Sequence, residues 1–393
     1  MTQGKRVLVS GAGGFIGRWS VPALLRLGYE VHAVLSGKAS RDVPEQLRGA
    51  KPHFADLLDD SAIDELTREV RPTHLLHFAW IAAPGVYWNS EENFRWLAAS
   101  ERLLRSFRAQ GGSRVMMAGT CAEYDWSRVE VCDELSSPLA KTKAATLRGA
   151  GATRHDAATA ASDAATAASD AATAASDVAT AASDAATATN NAVTATSDAA
   201  TAANNAVTAT SDAAAAVTRY AACKIALQAI LADFGREERL STAWGRIFFQ
   251  FGPHEHPDRL VPSVIRNLLL NREAPCSHGR QIRSFLHVAD VGEAFAAVLD
   301  SELEGPVNIG SDERVSLADL VDRIGRQIGR PELLRLGARP APPGEPSLLV
   351  PEIHRLRDEA RWRPRFTLNE ALGDTIAWWR GRLLDPAGAA RHE

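Results

Sequence analysis

Lys5-Arg-Val-Leu-Val-Ser-Gly11-Ala-Gly-Gly-Phe-Ile-Gly17 is the stretch from which the rest of the chain is read. Its apolar run, Lys5 to Ser10, stops at a glycine, and Phe15 to Leu27 then shows helical spacing. That is the pattern of a short buried strand, a tight turn and a helix. Working outward, Glu30 to Leu35 reads as a second strand, Pro72 to Ala79 as another, Glu92 to Gln110 as a helix and Ser113 to Gly119 as a strand. Such alternation predicts an α/β fold with a doubly wound parallel sheet. Beyond Gly252 the helices shorten and prolines accumulate, which predicts a smaller C-terminal α/β domain for substrate. The expected division is 1–150 with 218–252, an insert at 151–217, and 253–393.

The insert is a seven-residue unit, Asp-Ala-Ala-Thr-Ala-Ala-Ser, recurring from Asp156. It lacks the large side chains that bury a coiled-coil seam. Ala favours helix while Thr, Ser, Asp and Asn oppose it, so this low-complexity, Ala-rich segment reads equally as a helical hairpin or as disorder. The expectation is a tolerated surface-loop expansion without chemistry of its own.

Residues 155–217 hold seven Asp and no Lys or Arg, so a net charge of −4 leaves the remainder at +3. No basic stripe points to nucleic acid. No apolar run approaches the ~18–20 residues of a membrane span. The segment from Met1 to Arg6 leads into a strand without a signal-peptide pattern, and four scattered cysteines suit a reducing compartment. A cytoplasmic location is therefore expected.

Glycines 11, 14 and 17 sit between a strand and a helix, where they allow a tight turn and close backbone approach to a pyrophosphate. This is the context in which a glycine-rich turn binds a dinucleotide, as in the Rossmann fold. Phe15 and Ile16, inside that turn, are expected cofactor contacts, as are Asp56 and Leu57 after the third strand and Ala79 after the fourth. The second strand ends Val34-Leu35-Ser36-Gly37-Lys38, with Arg41 close behind and no acidic residue. An acid there would repel a 2′-phosphate, whereas Ser36 and Lys38 accommodate one. NADP is the expected cofactor, with NAD the alternative.

Tyr220 and Lys224 stand four residues apart in a helical segment, which sets them on one face. With four Tyr and six Lys in the chain, such a pair arises by chance only about 0.06 times. A nearby ammonium favours a phenolate, so the tyrosine can exchange a proton with a carbonyl or hydroxyl while hydride moves at a nicotinamide. Thr120, at the carboxyl end of a strand, is the expected third group, holding the substrate oxygen.

With these residues in view, the chain resembles the extended short-chain dehydrogenase/reductases of the NAD-dependent epimerase/dehydratase family, which act on nucleotide sugars. The resemblance rests on Gly11, Gly14 and Gly17, on Asp56, on Thr120 four residues before Tyr124, and on Tyr220 with Lys224. It continues in Gly245 to Pro253, Gln281 to Asp290 and Asn308-Ile-Gly310. It implies that Thr120 and Tyr220 meet the sugar's reacting oxygen and that Lys224 meets the nicotinamide ribose. It also implies that Arg283 contacts the nucleotide diphosphate, and that the helix of Tyr220 and Lys224 joins a four-helix bundle in a homodimer.

Three departures bear on function. Dehydratases of the family place an Asp-Glu pair after the catalytic Thr, where this chain has Cys121 and Ala122, with Glu123 one place later. An Ala is no general base, so 4,6-dehydration is not expected. Phe249 stands where the family has an Asn that contacts the substrate phosphates. Thr120 and Tyr220 are separated by the repeat, where the family has a few dozen residues. The 3,5-epimerase His is also lacking, since Arg259 falls in its place; Arg259 is counted as a substrate contact instead. His254 and His256 lie in a polar loop, and no metal is expected. The expected function is NAD(P)H-dependent reduction of a nucleotide-linked deoxysugar at its 4-keto group, with Tyr220 as acid/base. A C4 epimerase and a catalytically silent NADP-sensing protein are the alternatives.

Overall fold

The computed structural model describes residues 4–37, 43–140, 217–341 and 344–384. The repeat, together with Lys38 and Arg41, lies outside the described residues. In chain order the strands are β1 (Arg6–Ser10), β2 (Glu30–Ser36), β3 (Lys51–Ala55), β4 (His74–His77), β5 (Arg114–Thr120), β6 (Val131–Cys132), β7 (Ser241–Ile247), β8 (Phe249–Phe251), β9 (Ala274–Pro275), β10 (Ile282–His287), β11 (Gly305–Ile309), β12 (Arg314–Ser316), β13 (Leu334–Arg335) and β14 (Leu348–Pro351). The helices among the described residues are α1 (Gly17–Arg26), α2 (Asp60–Val70), α3 (Glu92–Ala109), α4 (Arg219–Glu238), α5 (Leu260–Leu269), α6 (Val288–Asp300), α7 (Leu317–Ile328) and α8 (Leu368–Leu384).

Seven strands form one parallel sheet in the order β11-β7-β5-β4-β1-β2-β3. Strands covered on both faces read as continuous apolar runs, and Val7, Leu8 and Val9 of β1 are fully buried. On one face Val7, Val9, Val21, Leu24, Phe295 and Val298 pack together beneath α1 and α6. On the other, Leu8, Ile63, Phe107, Leu227 and Trp244 pack against α2, α3 and α4. This is the doubly wound Rossmann-type sheet that the alternation predicted.

The boundary expected at 252 divides this sheet differently from the structure. The sheet takes its outermost strand, β11, from beyond that point, and α6 covers its face. Arg114, buried at the start of β5, explains why. Its guanidinium donates to the carbonyls of Val298 (2.6 Å), Leu299 (2.7 Å) and Leu303 (2.9 Å) at the end of α6. A cation on those carbonyls meets the negative end of the helix dipole, so residues 288–309 are stitched to the sheet. Conversely, β6 leaves the first half of the chain to pair with β14 in a second sheet, ordered β12-β10-β14-β6. The smaller lobe packs Val264, Ile265, Leu320, Ile324, Leu372 and Ile376 between α5, α7 and α8.

The carboxyl ends of β1 and β4 are joined by a buried chain. The Ser10 hydroxyl meets His77 Nδ1 at 2.6 Å, His77 Nε2 meets the Ser100 hydroxyl at 2.8 Å, and the Ala79 amide donates to Ser10 Oγ at 3.3 Å. Burial, with the Lys224 charge nearby, pushes His77 down to about 3, and burial pushes His74 down to about 4. Both values lie below the 6.5 of an exposed histidine. Below that pH the unfolded chain binds protons that the folded chain refuses, so stability falls as the pH drops. The buried His77 alone contributes about 1.4 kcal/mol per pH unit in that window. The melting temperature is expected to drop between pH 7 and pH 5, and less so in His77→Gln; a melting curve indifferent to pH over that range contradicts this assignment.

Candidate active site

The turn between β1 and α1 is built by close approach. Gly11 has φ +66°, and a Cβ there would lie 2.8 Å from the Ala79 amide nitrogen. A Cβ at Gly17 would collide with the Gly11 carbonyl oxygen. No side chain caps the first turn of α1, whose N-cap is Ile16. Its amides and its dipole thus face the loop that a pyrophosphate needs. The residues present fit a dinucleotide. Arg18, which the motif reading passed over, hydrogen-bonds the Gly13 and Gly14 carbonyls and brings a cation to the loop. Ser36 is exposed at the end of β2, and Leu57 is buried. Asp56 accepts from the Leu58 amide (3.1 Å), and Gly37 lies beside the Asp56 amide.

At the end of β5 the chain folds into a short 3-10 turn, Cys121–Glu123, capped reciprocally. The Thr120 hydroxyl accepts from the Ala122 amide, while the Glu123 carboxylate accepts from the Thr120 amide at 2.8 Å. Glu123 is fully buried and its oxygens also take Trp244 Nε1 and Arg246 Nε (2.8 Å). Arg246 in turn donates to Tyr124 Oη, the Glu134 carbonyl and Gln228 Oε1. Glu123 is thereby fully engaged as a structural anion. Cys121 is buried and its thiol is pushed up to about 12, so it stays protonated.

Helix α4 presents Tyr220 and Lys224 to this turn. Thr218 caps the helix through the Ala221 amide (3.2 Å). The Tyr220 amide donates to the Trp88 carbonyl (3.0 Å), and Arg219 donates to the Asn89 carbonyl (2.7 Å). On the other side of the repeat, the Ala140 amide donates to the Glu123 carbonyl (2.8 Å) and Leu139 bridges to Tyr124. The Tyr220 hydroxyl hydrogen-bonds the Thr120 side chain. Tyr87 and Trp88 meet its ring edge-on, with centroids 4.9 Å and 5.7 Å away. Burial raises the Tyr220 hydroxyl above its ordinary value, and the Thr120 bond opposes that.

Lys224 donates from Nζ to the Ala118 carbonyl (2.8 Å) and stands 3.8 Å over the Trp80 ring and 6.0 Å from the Tyr220 ring. Burial pushes it down to about 7, against the pull of Glu123. Trp80 is itself held by Asn93 Oδ1 (2.8 Å), while Asn93 Nδ2 grips the Tyr87 carbonyl (2.7 Å). Trp80, Tyr87, Trp88 and Asn93 were absent from the sequence reading; a helical asparagine with no solvent exposure had no local signal to mark it.

The structure brings together Thr120, Tyr220 and Lys224. Arg259 joins them through Tyr87, which it hydrogen-bonds and whose ring lies 5.9 Å from its guanidinium. Arg283 lies within electrostatic reach of Cys121 in the same turn. It is buried, it donates to Glu345 (2.9 Å) and to the Pro346 carbonyl (2.9 Å), and Phe249 lies 5.3 Å from it. The His254 ring meets Trp378 at a tilt, with centroids 4.8 Å apart, and His256 is exposed beside Asp258.

Two outcomes follow from these contacts. Gly17→Ala forces the turn open and is expected to weaken binding of a reduced nicotinamide dinucleotide by at least about tenfold, read by nucleotide fluorescence titration; unchanged affinity refutes the cradle. Glu123→Gln leaves the Arg246 cation without its counterion and is expected to cost about 3–5 kcal/mol of stability in denaturant melts. A loss below about 1 kcal/mol would mean that the pair is not the keystone described.

No helix among the described residues is long and apolar enough to cross a membrane, and all four cysteines are free and buried. The model of the NAD dependent epimerase/dehydratase family matches residues 7–145 and 144–310. A human dTDP-D-glucose 4,6-dehydratase is 28% identical over 172 residues, covering 41% of this chain and 48% of that protein. UDP-glucuronic acid decarboxylase 1 of Arabidopsis thaliana is 24% identical over 171 residues, covering 42% and 38%. The chain spans about half the length of the curated relatives it matches. Among solved structures, the UDP-glucose 4-epimerase of Thermotoga maritima with UDP-glucose superposes with a TM-score of 0.68 at 17% identity, over 96% of this chain and 99% of that one. The UDP-glucose 4-epimerase of Thermus thermophilus with NAD gives 0.66 at 22%, over 96% and 100%. Those structural likenesses speak to the fold. The family match covers well over half of the sequence, and the chain belongs to the NAD-dependent epimerase/dehydratase family.

Proposed function

We propose that this protein reduces the 4-keto group of a nucleotide-linked deoxysugar with NADPH, using Tyr220 as the proton donor. The observation that carries this reading is the Thr120–Tyr220–Lys224 cluster, set beside a turn with no free acid or base. Elimination of water needs a second carboxyl near the reacting carbon. Here Cys121 is held protonated, Ala122 has no functional group, and Glu123 is engaged by Thr120, Trp244 and Arg246. Tyr220 is therefore the group left to move a proton at the reacting oxygen. Thr120 orients that oxygen through its hydroxyl, and the Lys224 charge one helical turn away favours the phenolate left after donation. A bound nicotinamide supplies the hydride.

The end of β2 supports NADP over NAD. Ser36 is exposed there, where an acid that would repel a 2′-phosphate is replaced by a hydroxyl, and the Arg18 cation lies on the neighbouring turn. Names of relatives that act on dTDP- and UDP-sugars support a nucleotide sugar as substrate. A homodimer is part of the same reading.

Incubation with a nucleotide-linked 4-keto-6-deoxysugar should consume NADPH stoichiometrically. Tyr220→Phe should lower kcat by about 10²–10⁴ while NADPH binding persists. A C4 epimerase, built from the same three residues, gives the opposite result: no net NADPH consumption, and NAD released on denaturation. Turnover unaffected by Tyr220→Phe would remove the tyrosine from the chemistry.

A further inference from the structure

After β8 the chain turns sharply through Gly252-Pro-His-Glu-His-Pro-Asp-Arg259. His254 takes a left-handed conformation, φ 71°, with its ring on Trp378. A non-glycine residue held there marks a turn fixed by its surroundings, a common feature of ligand-binding segments. The turn carries Glu255 inward, its amide bonded to the Gly252 carbonyl (3.2 Å). Among the described residues Glu255 Oε2 is buried and has no hydrogen-bond partner. Arg259 attracts this carboxyl at a distance and directs its own hydrogen bond to Tyr87 instead. From Arg259 the contacts continue to Tyr87, and from Tyr87 across 4.9 Å to the Tyr220 ring.

A buried carboxyl oxygen without a partner is costly unless a ligand supplies one. Burial also pushes Glu255 up to about 8 despite Arg259. Burial thus favours its protonated form, and with the Gly252 backbone already bonded to the carboxyl the unpartnered oxygen is left with a hydroxyl donor and a lone pair to offer. That is the hydrogen-bonding complement of a sugar hydroxyl.

We propose that Glu255, positioned beside Arg259, is a specificity-determining residue that binds a hydroxyl of the substrate's sugar ring. The inference rests on the nucleotide-sugar reading above and adds a preference: the Arg259 cation disfavours a charged amino sugar and favours a hydroxylated one.

The test uses binding rather than turnover. The full chain, saturated with NADP⁺, is titrated calorimetrically with UDP-glucose and dTDP-glucose, and separately with UDP and dTDP. Glu255→Ala is expected to weaken the sugar nucleotides by about tenfold or more and to leave the bare nucleotides unchanged. Glu255→Gln, which keeps one donor and one acceptor, is expected to recover most of that loss. Failure of the wild type to bind any of the four overturns the nucleotide-sugar reading and this inference with it. Wild-type binding that Glu255→Ala leaves intact, or weakens equally for bare nucleotides, overturns this inference alone.

Discussion

Glu123 sits where no water reaches it, and the active-site end of the sheet is organised around satisfying its charge. A carboxylate in that position persists only if donors surround it, and they come from three directions: the Thr120 amide, the Trp244 indole and the Arg246 guanidinium. Each donor belongs to a strand, β5 or β7, so the carboxylate fixes the two strands at their carboxyl ends. Arg246 extends the grip to Tyr124 and to Gln228 on α4. Tyr124 passes it to Asn308 on β11, which holds the Cys132 and Glu352 carbonyls. The Thr120 hydroxyl is fixed because its own backbone caps this network, and the helix that carries Tyr220 and Lys224 is anchored to the same guanidinium.

Burial acts on Tyr220 and Lys224 in the same sense. It favours the uncharged form of each, raising the tyrosine and lowering the lysine to about 7. The neighbours that resist, Thr120 for one and Glu123 for the other, both belong to the same short turn. Glu123 thus gives the turn an electrostatic role, separate from the Thr120 hydroxyl that bonds Tyr220. It also leaves Cys121, held protonated, and Ala122 beside Thr120 without acid–base capacity.

Features that depend on short spacing were legible in the sequence. Gly11, Gly14 and Gly17 in one turn, and Tyr220 with Lys224 on one helical face, are local patterns with a direct geometric meaning. What escaped is non-local. The place of β11 in the main sheet depends on Arg114, whose three carbonyl partners lie more than 180 residues away. The structural use of Glu123 depends on Arg246, and the seat of Lys224 depends on Trp80 held by Asn93. Proline-rich stretches after Gly252 suggested a clean second domain, whereas the chain passes back into the first sheet through a helix with no proline. The pairing of Arg283 with Glu345 was equally hidden, because Glu345 comes to it from a distant loop.

The bonds at the two edges of the repeat also bear on how the gene can change. The chain departs tethered to the Glu123 carbonyl and returns stapled to the Trp88 and Asn89 carbonyls. Each tether closes within the catalytic body itself, so neither end relies on the seven-residue units for its position. A change in the number of units leaves the partners of both tethers, and so the contacts that seat Thr120 and Tyr220, in place.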